Sequence, residues 1–339
     1  MAHVIPPDGF DNYTVVTEKW TSAGNTAIGA GGRNGTNGLI CTATSGTTNP
    51  AKKNLGAAYS TLIVGFAFKW TAVGSVNSTS FLRFTTGGST IQVQLYGDRA
   101  TGFLRLIYGV TNVQLSLSPV LNTFYYAEVK VTFATGATGS IEVRTNGESI
   151  YTATGVRTAT TNASSNQLEI GVDGQNGGSV IVDDLYLLDT TGAAPNNDFL
   201  GDSRVITLFP TEDGVYRQWT PSTGSDHYPL VNKPVPAATP YVAAASVGER
   251  DSYGMTTLVG SPTVYAVVEN LYAEKDDAGP GSVAPSFYIG GVDYDGTGVA
   301  QSDGSFARMR EVLTLNPALG LVWTATALNA AEYGQVRTD

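Results

Sequence analysis

The sequence predicts an all-β protein, and three observations predict it. Of 339 residues, 40 are glycine and only 14% are charged, a composition that favours short strands joined by tight turns over long helices. Apolar side chains alternate with a period of two through several segments, the pattern of strands with one buried face. Clusters of Gly, Asn, Ser and Thr separate these segments at short intervals, as in an antiparallel β-sandwich or jelly roll.

The clearest strand is residues 61–70, where Leu62, Val64, Phe66, Phe68 and Trp70 share one face and Ile63, Gly65, Ala67 and Lys69 the other. Alternating runs follow at Ile91-Val93-Leu95, Leu104-Leu106-Tyr108, Tyr125-Ala127-Val129-Val131-Phe133 and Ile141-Val143. Asn146-Gly147 lies between residues 141–144 and Ile150-Tyr151, the preferred chemistry of a type I′ hairpin turn. Residues 13–20 and the strand 180–188 are expected to bracket this sandwich and to lie near each other.

The chain is long enough for two domains with proper cores. Residues 192–202 read as a turn-rich connector and 204–209 as the next strand, which places a first domain at 1–194 and a second, β-rich one at 195–339. In the second half, Trp219, Tyr241 and Tyr253 punctuate a passage holding Pro221, Pro229, Pro234, Pro236 and Pro240, which excludes regular helix or central strand and reads as an extended, wrapping segment or, nearly as well, an ordinary long surface loop. Residues 263–275 form its longest apolar-rich strand, expected to pair with 286–289. Residues 325–333 have the Ala, Leu and Glu content of one short C-terminal helix ended at Gly334.

Residues 180–209, VIVDDLYLLDTTGAAPNNDFLGDSRVITLF, carry a resemblance as well as a boundary. The acidic strand with Asp183, Asp184 and Tyr186, running into Asn196-Asn197-Asp198-Phe199-Leu200-Gly201-Asp202, resembles a junction in structural proteins of tailed-bacteriophage virions, where a concanavalin/laminin-G-like jelly roll joins a second β-rich module. Trp323-Thr324, Leu328-Asn329-Ala330 and Glu332-Tyr333-Gly334 fit the same pattern. The resemblance implies a virion part, a head decoration or fibre or a tail-attached protein. It also implies an oligomer, often trimeric, whose partners are other capsid or tail proteins.

Charge narrows the partners further. Residues 1–194 hold 11 Lys and Arg against 12 Asp and Glu, whereas 195–339 hold 8 against 17. The acidic half should repel nucleic acid and anionic lipid and could attract a basic surface or divalent ions, although an acidic exterior also simply keeps an assembly soluble. Lys52-Lys53 is too small a basic patch for nucleic acid. Cys41 is the one cysteine, so no intrachain disulfide forms. No basic and apolar leader is evident at the N-terminus and no apolar run approaches ~20 residues. The expectation is a protein made in a host cytoplasm and carried on a virion, without membrane insertion.

Catalytic and cofactor chemistry is sought and not found. The histidines are His3, read as lying in an N-terminal arm, and His227, beside Ser225 and Asp226 and read as a loop residue. Adjacency alone does not supply triad geometry, and no G-x-S-x-G elbow is present. Two histidines and one cysteine do not make an ordinary structural zinc site. Asp293-Tyr294-Asp295-Gly296 begins like a calcium loop but has Gly304 where the bidentate Glu belongs, and reads as a β-turn. Laminin-G-like domains sometimes hold Ca²⁺, which would fall near Asp173, Asp183 or Asp184 here; the simpler reading has Asp183 and Asp184 capping backbone groups at a strand irregularity. Glu128, Glu142 and Glu169 each lack the partner carboxylate of a glycoside hydrolase. The run Gly29-Ala30-Gly31-Gly32-Arg33-Asn34-Gly35 lacks a following Gly-Lys-Ser/Thr and reads as a flexible loop.

Tyr96, Tyr108, Tyr125, Tyr126, Tyr151 and Tyr186 could stack on sugars if exposed, but strand-end tyrosines are more often lids of a core or interface residues. No residue is nominated as a catalytic, cofactor or metal site. The expectation is a non-enzymatic structural subunit of a phage particle with host-glycan contact. The competing expectation is a free carbohydrate-binding module or adhesin, and a third is a degenerate glycoside hydrolase.

Overall fold

The computed structural model describes residues 3–43, 50–72, 78–171, 178–277 and 279–339. The chain is almost entirely β, as composition and alternation predict, and divides into two compact units, one running to Val205 and the other from Ile206.

The first unit contains β1 (His3–Asp8), β2 (Thr26–Ala30), β3 (Asn37–Thr42), β4 (Ala51–Tyr59), β5 (Thr61–Ala72), β6 (Ser78–Thr86), β7 (Thr90–Asp98), β8 (Leu104–Tyr108), β9 (Thr111–Gln114), β10 (Phe124–Thr132), β11 (Gly139–Thr145), β12 (Glu148–Val156), β13 (Ser165–Ile170) and β14 (Ser179–Leu188). They form two antiparallel sheets. One has the order β12-β11-β10-β5-β14-β3-β2, with β1 added against β14; the other has the order β4-β13-β6-β7-β8-β9. The inward residues of both make one core, in which Phe68 of β5 stacks on Phe81 of β6 at 4.9 Å and Phe84 of β6 meets Phe133 edge-on at 5.8 Å. Burying such rings supplies the main drive for the sandwich. The Asn146-Gly147 hairpin forms as expected, with both residues at positive φ between β11 and β12.

The element that closes the sandwich beside β14 is β1. Residues 13–20 instead form a loop with a 3-10 turn, in which Tyr13 and Trp20 pack on Phe10 and share the buried Asp8 carboxylate with Lys19. His3 therefore lies in a strand and not in an arm. Arg33–Gly35 is a built 3-10 turn and not a flexible loop, because Asp183 accepts a hydrogen bond from the Arg33 N–H.

The connector belongs to the first unit. Residues 204–209 form no strand, and the expected second-domain opening at 195 is bound to the sandwich up to Val205. Leu200 N–H donates to the Tyr186 hydroxyl, Gly201 N–H to Glu128, and Val205 N–H to Asp184, so the segment runs across the outer face of the larger sheet. That covering explains why β14, whose outward residues would otherwise meet water, is buried almost throughout.

The second unit contains β15 (Pro210–Arg217), β16 (Thr220–Pro221), α1 (Tyr228–Val231), β17 (Val242–Ala243), β18 (Arg250–Met255), β19 (Val267–Ala273), β20 (Ser282–Ile289), β21 (Val292–Asp295), β22 (Val299–Ala300), β23 (Ala307–Leu313), α2 (Ala325–Asn329) and β24 (Glu332–Arg337). Its main sheet has the order β15-β18-β24-β20-β21, with β22 beside β20, and Phe287, Tyr333 and Trp323 centre its core.

Three expectations are corrected here. The Pro-rich passage is partly structured: Pro229 lies in the first turn of α1, Pro221 pairs in the β16-β17 ladder and Tyr253 is in an interior strand, while residues 232–241, with Pro234, Pro236 and Pro240, form no helix or strand. Pro229 and Pro221 are admitted because they sit in a first helical turn and a two-residue ladder. Strand β19 pairs with β23, while residues 286–289 pair with β24 and β21. The C-terminal helix ends at Asn329, and Glu332–Arg337 is a strand, with Gly334 admitted between Ser252 and Ser286 because a Cβ there would collide with the Asp251 backbone.

Candidate functional site

The outward face of the six-stranded sheet is polar, and its central strands are buried while β4, β8 and β9 at its sides are half-buried or exposed. Strands β6 and β7 alternate apolar residues inward with Arg83, Thr85, Gln92, Gln94 and Tyr96 outward, and β13 adds Gln167 and Glu169. Each of these seven is buried. A solvated sheet face ordinarily leaves long polar side chains exposed, so a polar face packed to this degree is unusual.

The ladder register assembles the face into rows. Lys52 of β4, Glu169 of β13, Arg83 of β6 and Gln94 of β7 are consecutive cross-strand partners. With strands about 4.8 Å apart, the row spans about 14 Å. Glu169 is flanked by both cations, Lys52 Nζ at 3.4 Å and Arg83 Nη1 at 3.8 Å. Burial lowers the Arg83 pKa and the Glu169 charge raises it back, so the pair makes the buried guanidinium tolerable.

In the next row, Thr85 donates to Gln167 Oε1 at 2.9 Å and Gln167 Nε2 donates to Asn54 Oδ1 at 2.8 Å. At its end an open cleft of about 550 Å³ is lined by Asn54, Gly56, Gly87, Gly88, Asn166 and Gln167 with two alanines. Towards β9, Asn112 Nδ2 donates to the Tyr96 hydroxyl at 3.0 Å, and Arg105 donates to Asn112 Oδ1 at 3.0 Å. Ser80 Oγ, also buried on β6, has no hydrogen-bond partner among the described residues. The arrangement offers amides, hydroxyls, a carboxylate and cations on a rigid sheet, donors and acceptors alternating at strand spacing.

The residues singled out from sequence fall elsewhere, with the exceptions of Glu169, Lys52 and Tyr96. Asp183 and Asp184 cap backbone groups at a register shift in β14: Asp183 accepts from Arg33 N–H at 2.7 Å and from Asp184 N–H, and Asp184 accepts from Val205 N–H at 2.8 Å. Asp173 lies outside the described residues. Glu128 is fully buried, taking hydrogen bonds from Tyr186 at 2.5 Å and Gly201 at 2.8 Å; Glu142 pairs with Arg144. Tyr96, Tyr108, Tyr126 and Tyr186 are buried and Tyr125 and Tyr151 half-buried, so these six form no open stacking platform.

His227 lies outside the helix, as expected, but is not a free loop residue. It is buried at the start of α1, and its Nδ1 lies 2.6 Å from Asp251 Oδ2, while Ser225 and Asp226 play no part in that pair. Asp251 also accepts from the Gln218 and Trp219 N–H groups and from the Tyr253 hydroxyl. Asp293 and Asp295 are in strand β21 and not in a turn, and Arg250 binds both oxygens of Asp295 at 2.5 and 2.7 Å. Among the described residues no group of three or more His, Cys, Asp or Glu could hold a metal ion.

No protein-family model matches the chain, and no curated protein does. Solved structures of all-β, jelly-roll type are similar to it at low identity. An endo-β-1,4-glucuronan lyase from the fungus Trichoderma reesei is 16% identical over 54% of this chain and 94% of its own, with a TM-score of 0.42. Alginate lyase Aly36B is 14% identical over 55% of this chain and 98% of its own, at 0.40. The binding domain of Paraclostridial Mosquitocidal Protein 1 is 10% identical over 48% of this chain and 42% of its own, at 0.37. This set overturns the expectation of a chain without enzymatic activity. That expectation rested on a missing glycoside-hydrolase carboxylate pair, and the similar structures include polysaccharide lyases, to which the criterion does not apply.

Proposed function

We propose that the first unit binds carbohydrate chains on the polar face of its six-stranded sheet, and that the protein does so as a component of a tailed-phage particle. The observation that carries the binding reading is the row Lys52, Glu169, Arg83 and Gln94, three of whose four side chains are buried on the outward side of a sheet. A polyhydroxylated chain matches such a surface, since each hydroxyl both donates and accepts. A row of about 14 Å suits an oligosaccharide better than a single sugar. Nucleic acid fits poorly, because the cations of the face are paired with carboxylates and the whole chain is acidic.

The particle reading is supported by the resemblance of residues 180–209 and of the C-terminal region to virion proteins. On that reading the partners are other capsid or tail proteins and host glycans, and the protein works as a homo-oligomer, often a trimer, so that avidity adds to weak single sites. The alternative is a free carbohydrate-binding module or adhesin.

A glycan microarray probed with the unmodified chain and with the Gln94→Ala and Asn54→Ala variants tests the binding reading. Signal on a class of oligosaccharide that both variants reduce supports it; equal signal for all three proteins, or none, overturns it. Incubating any bound glycan with the protein and following chain length reports turnover. Immunogold labelling of particles with antibody against residues 206–339 tests the placement, and chain recovered only free in the lysate would favour the adhesin.

A further inference from the structure

The cleft at the end of the polar face is built by strand register. From Asn54 to Tyr59 strand β4 takes five residue steps, while its partner β13 takes two, from Gln167 to Ser165. Three residues of β4 are therefore surplus, and Gly56, at a φ of 76°, lets the strand bulge away from β13. The turn between β6 and β7 lines the same cleft with Gly87 and Gly88. At these three glycines nothing lies within 4 Å of the position a Cβ would take, so part of the lining is bare backbone that a ligand can approach closely. The cleft of about 550 Å³ falls within the ~300–1,000 Å³ of small-molecule sites.

The rest of the lining is amides and methyl groups. Ala57 and Ala58 are exposed, and with Asn54, Asn166 and Gln167 they complete a surface that holds no charged and no aromatic side chain. Gln167 Oε1 accepts from Thr85 and its Nε2 donates to Asn54 Oδ1, which leaves the exposed Asn54 Nδ2 with its donors unused. Asn166, exposed on the neighbouring strand, makes no side-chain hydrogen bond among the described residues. A carboxylate or sulfate would find no cation in this lining, and a bare sugar face no ring to stack on. A secondary amide bearing a methyl group fits better. Its N–H and C=O point in opposite directions, so it needs an acceptor and a donor from different side chains, and its methyl needs an apolar contact. Asn166 Oδ1, Asn54 Nδ2 and the two alanines supply these.

We propose that the cleft receives the acetamido group of an N-acetylated sugar in the bound chain. The proposal rests on the carbohydrate reading of the same face and narrows it: the row of buried polar side chains meets hydroxyls, and the cleft selects the acetamido substituent.

The test is calorimetric titration of the full chain with two oligosaccharides that differ only in that substituent, the β-1,4-linked tetramers of N-acetylglucosamine and of glucose. It is repeated with Asn166→Ala, Asn54→Asp and Gln94→Ala; Asn54→Asp keeps the acceptor for Gln167 and removes the donor. The acetamido tetramer should bind roughly tenfold tighter than the glucose one. Asn166→Ala and Asn54→Asp should each cut that ratio to about threefold or less, whereas Gln94→Ala should weaken both tetramers alike and leave the ratio intact. Melting curves identify any variant that loses its fold, in which case the other cleft variant decides. Equal affinity for the two tetramers, or a ratio that the folded cleft variants leave unchanged, would overturn the acetamido site while the carbohydrate reading stands. Binding of neither tetramer would also overturn it, and the glycan array, which carries other sugars and linkages, decides the broader reading separately.

Discussion

Trp70 of β5 lies against Gly97 of β7, and a Cβ at position 97 would overlap the indole ring. The two residues belong to opposite sheets, so the contact sets how closely the sheets approach at this end of the core. Gly97→Ala must therefore push apart either the ring or the β7 backbone. The expected loss is about 1–3 kcal/mol, read by urea denaturation of the full chain. A Trp70→Leu change made together with it should cost less than the two singles added, because the clash disappears.

Glu128 fastens the connector to the sandwich. Its carboxylate accepts from the Tyr186 hydroxyl and the Gly201 N–H while fully buried, and Tyr186 lies over Gly65, where a Cβ would overlap its ring. Glu128→Ala leaves two donors without their acceptor and should destabilise the first unit by on the order of 3 kcal/mol. Hydrogen exchange at the Leu200 and Gly201 amides should rise more than at the amides of β5, since the connector has no ladder of its own.

The paired aspartates make stability depend on pH in a defined direction. Burial, and then the neighbouring Asp184 charge, push Asp183 up from 3.8 to about 7, and burial raises Asp184 as well. A carboxyl whose folded value is raised contributes stability that is complete below its unfolded value and lost as pH rises through the folded one. His3, pulled down to about 4 by burial, acts oppositely between about 4 and 6.5. Between pH 6.5 and 8 the loss is shared by Asp183 and by Glu269 of the second unit, whose carboxyl burial also holds well above its ordinary value. The melting temperature should fall across this window in the parent chain, and Asp183→Asn should reduce that slope. An unchanged slope would remove Asp183 as a source.

Much of the fold was legible because alternation is a local signal. The strand around Phe66 and Phe68 and the Asn146-Gly147 turn follow from residues close together in the chain, whereas Asp183 and Asp184 cap distant backbone groups, the N–H of Arg33 and of Val205. The candidate site was not legible, because register alone brings residues 52, 169, 83 and 94 into one row. Arg83, Thr85 and Gln94 look like an ordinary solvated strand face until their burial is known. Glu332 and Tyr333, expected at the end of a helix and found in a strand, were misread for the opposite reason. The Ala and Leu content just before them favours helix, but pairing with β18 and β20 on both sides decides for strand.

The most direct measurement is a calorimetric titration of the full chain with an oligosaccharide selected on the array, repeated with Gln94→Ala and Gln167→Ala. The account predicts one site per chain and a loss of roughly tenfold or more in affinity for each variant, with melting curves that show both variants folded. Affinity unaltered in both folded variants would place carbohydrate binding elsewhere and contradict the account.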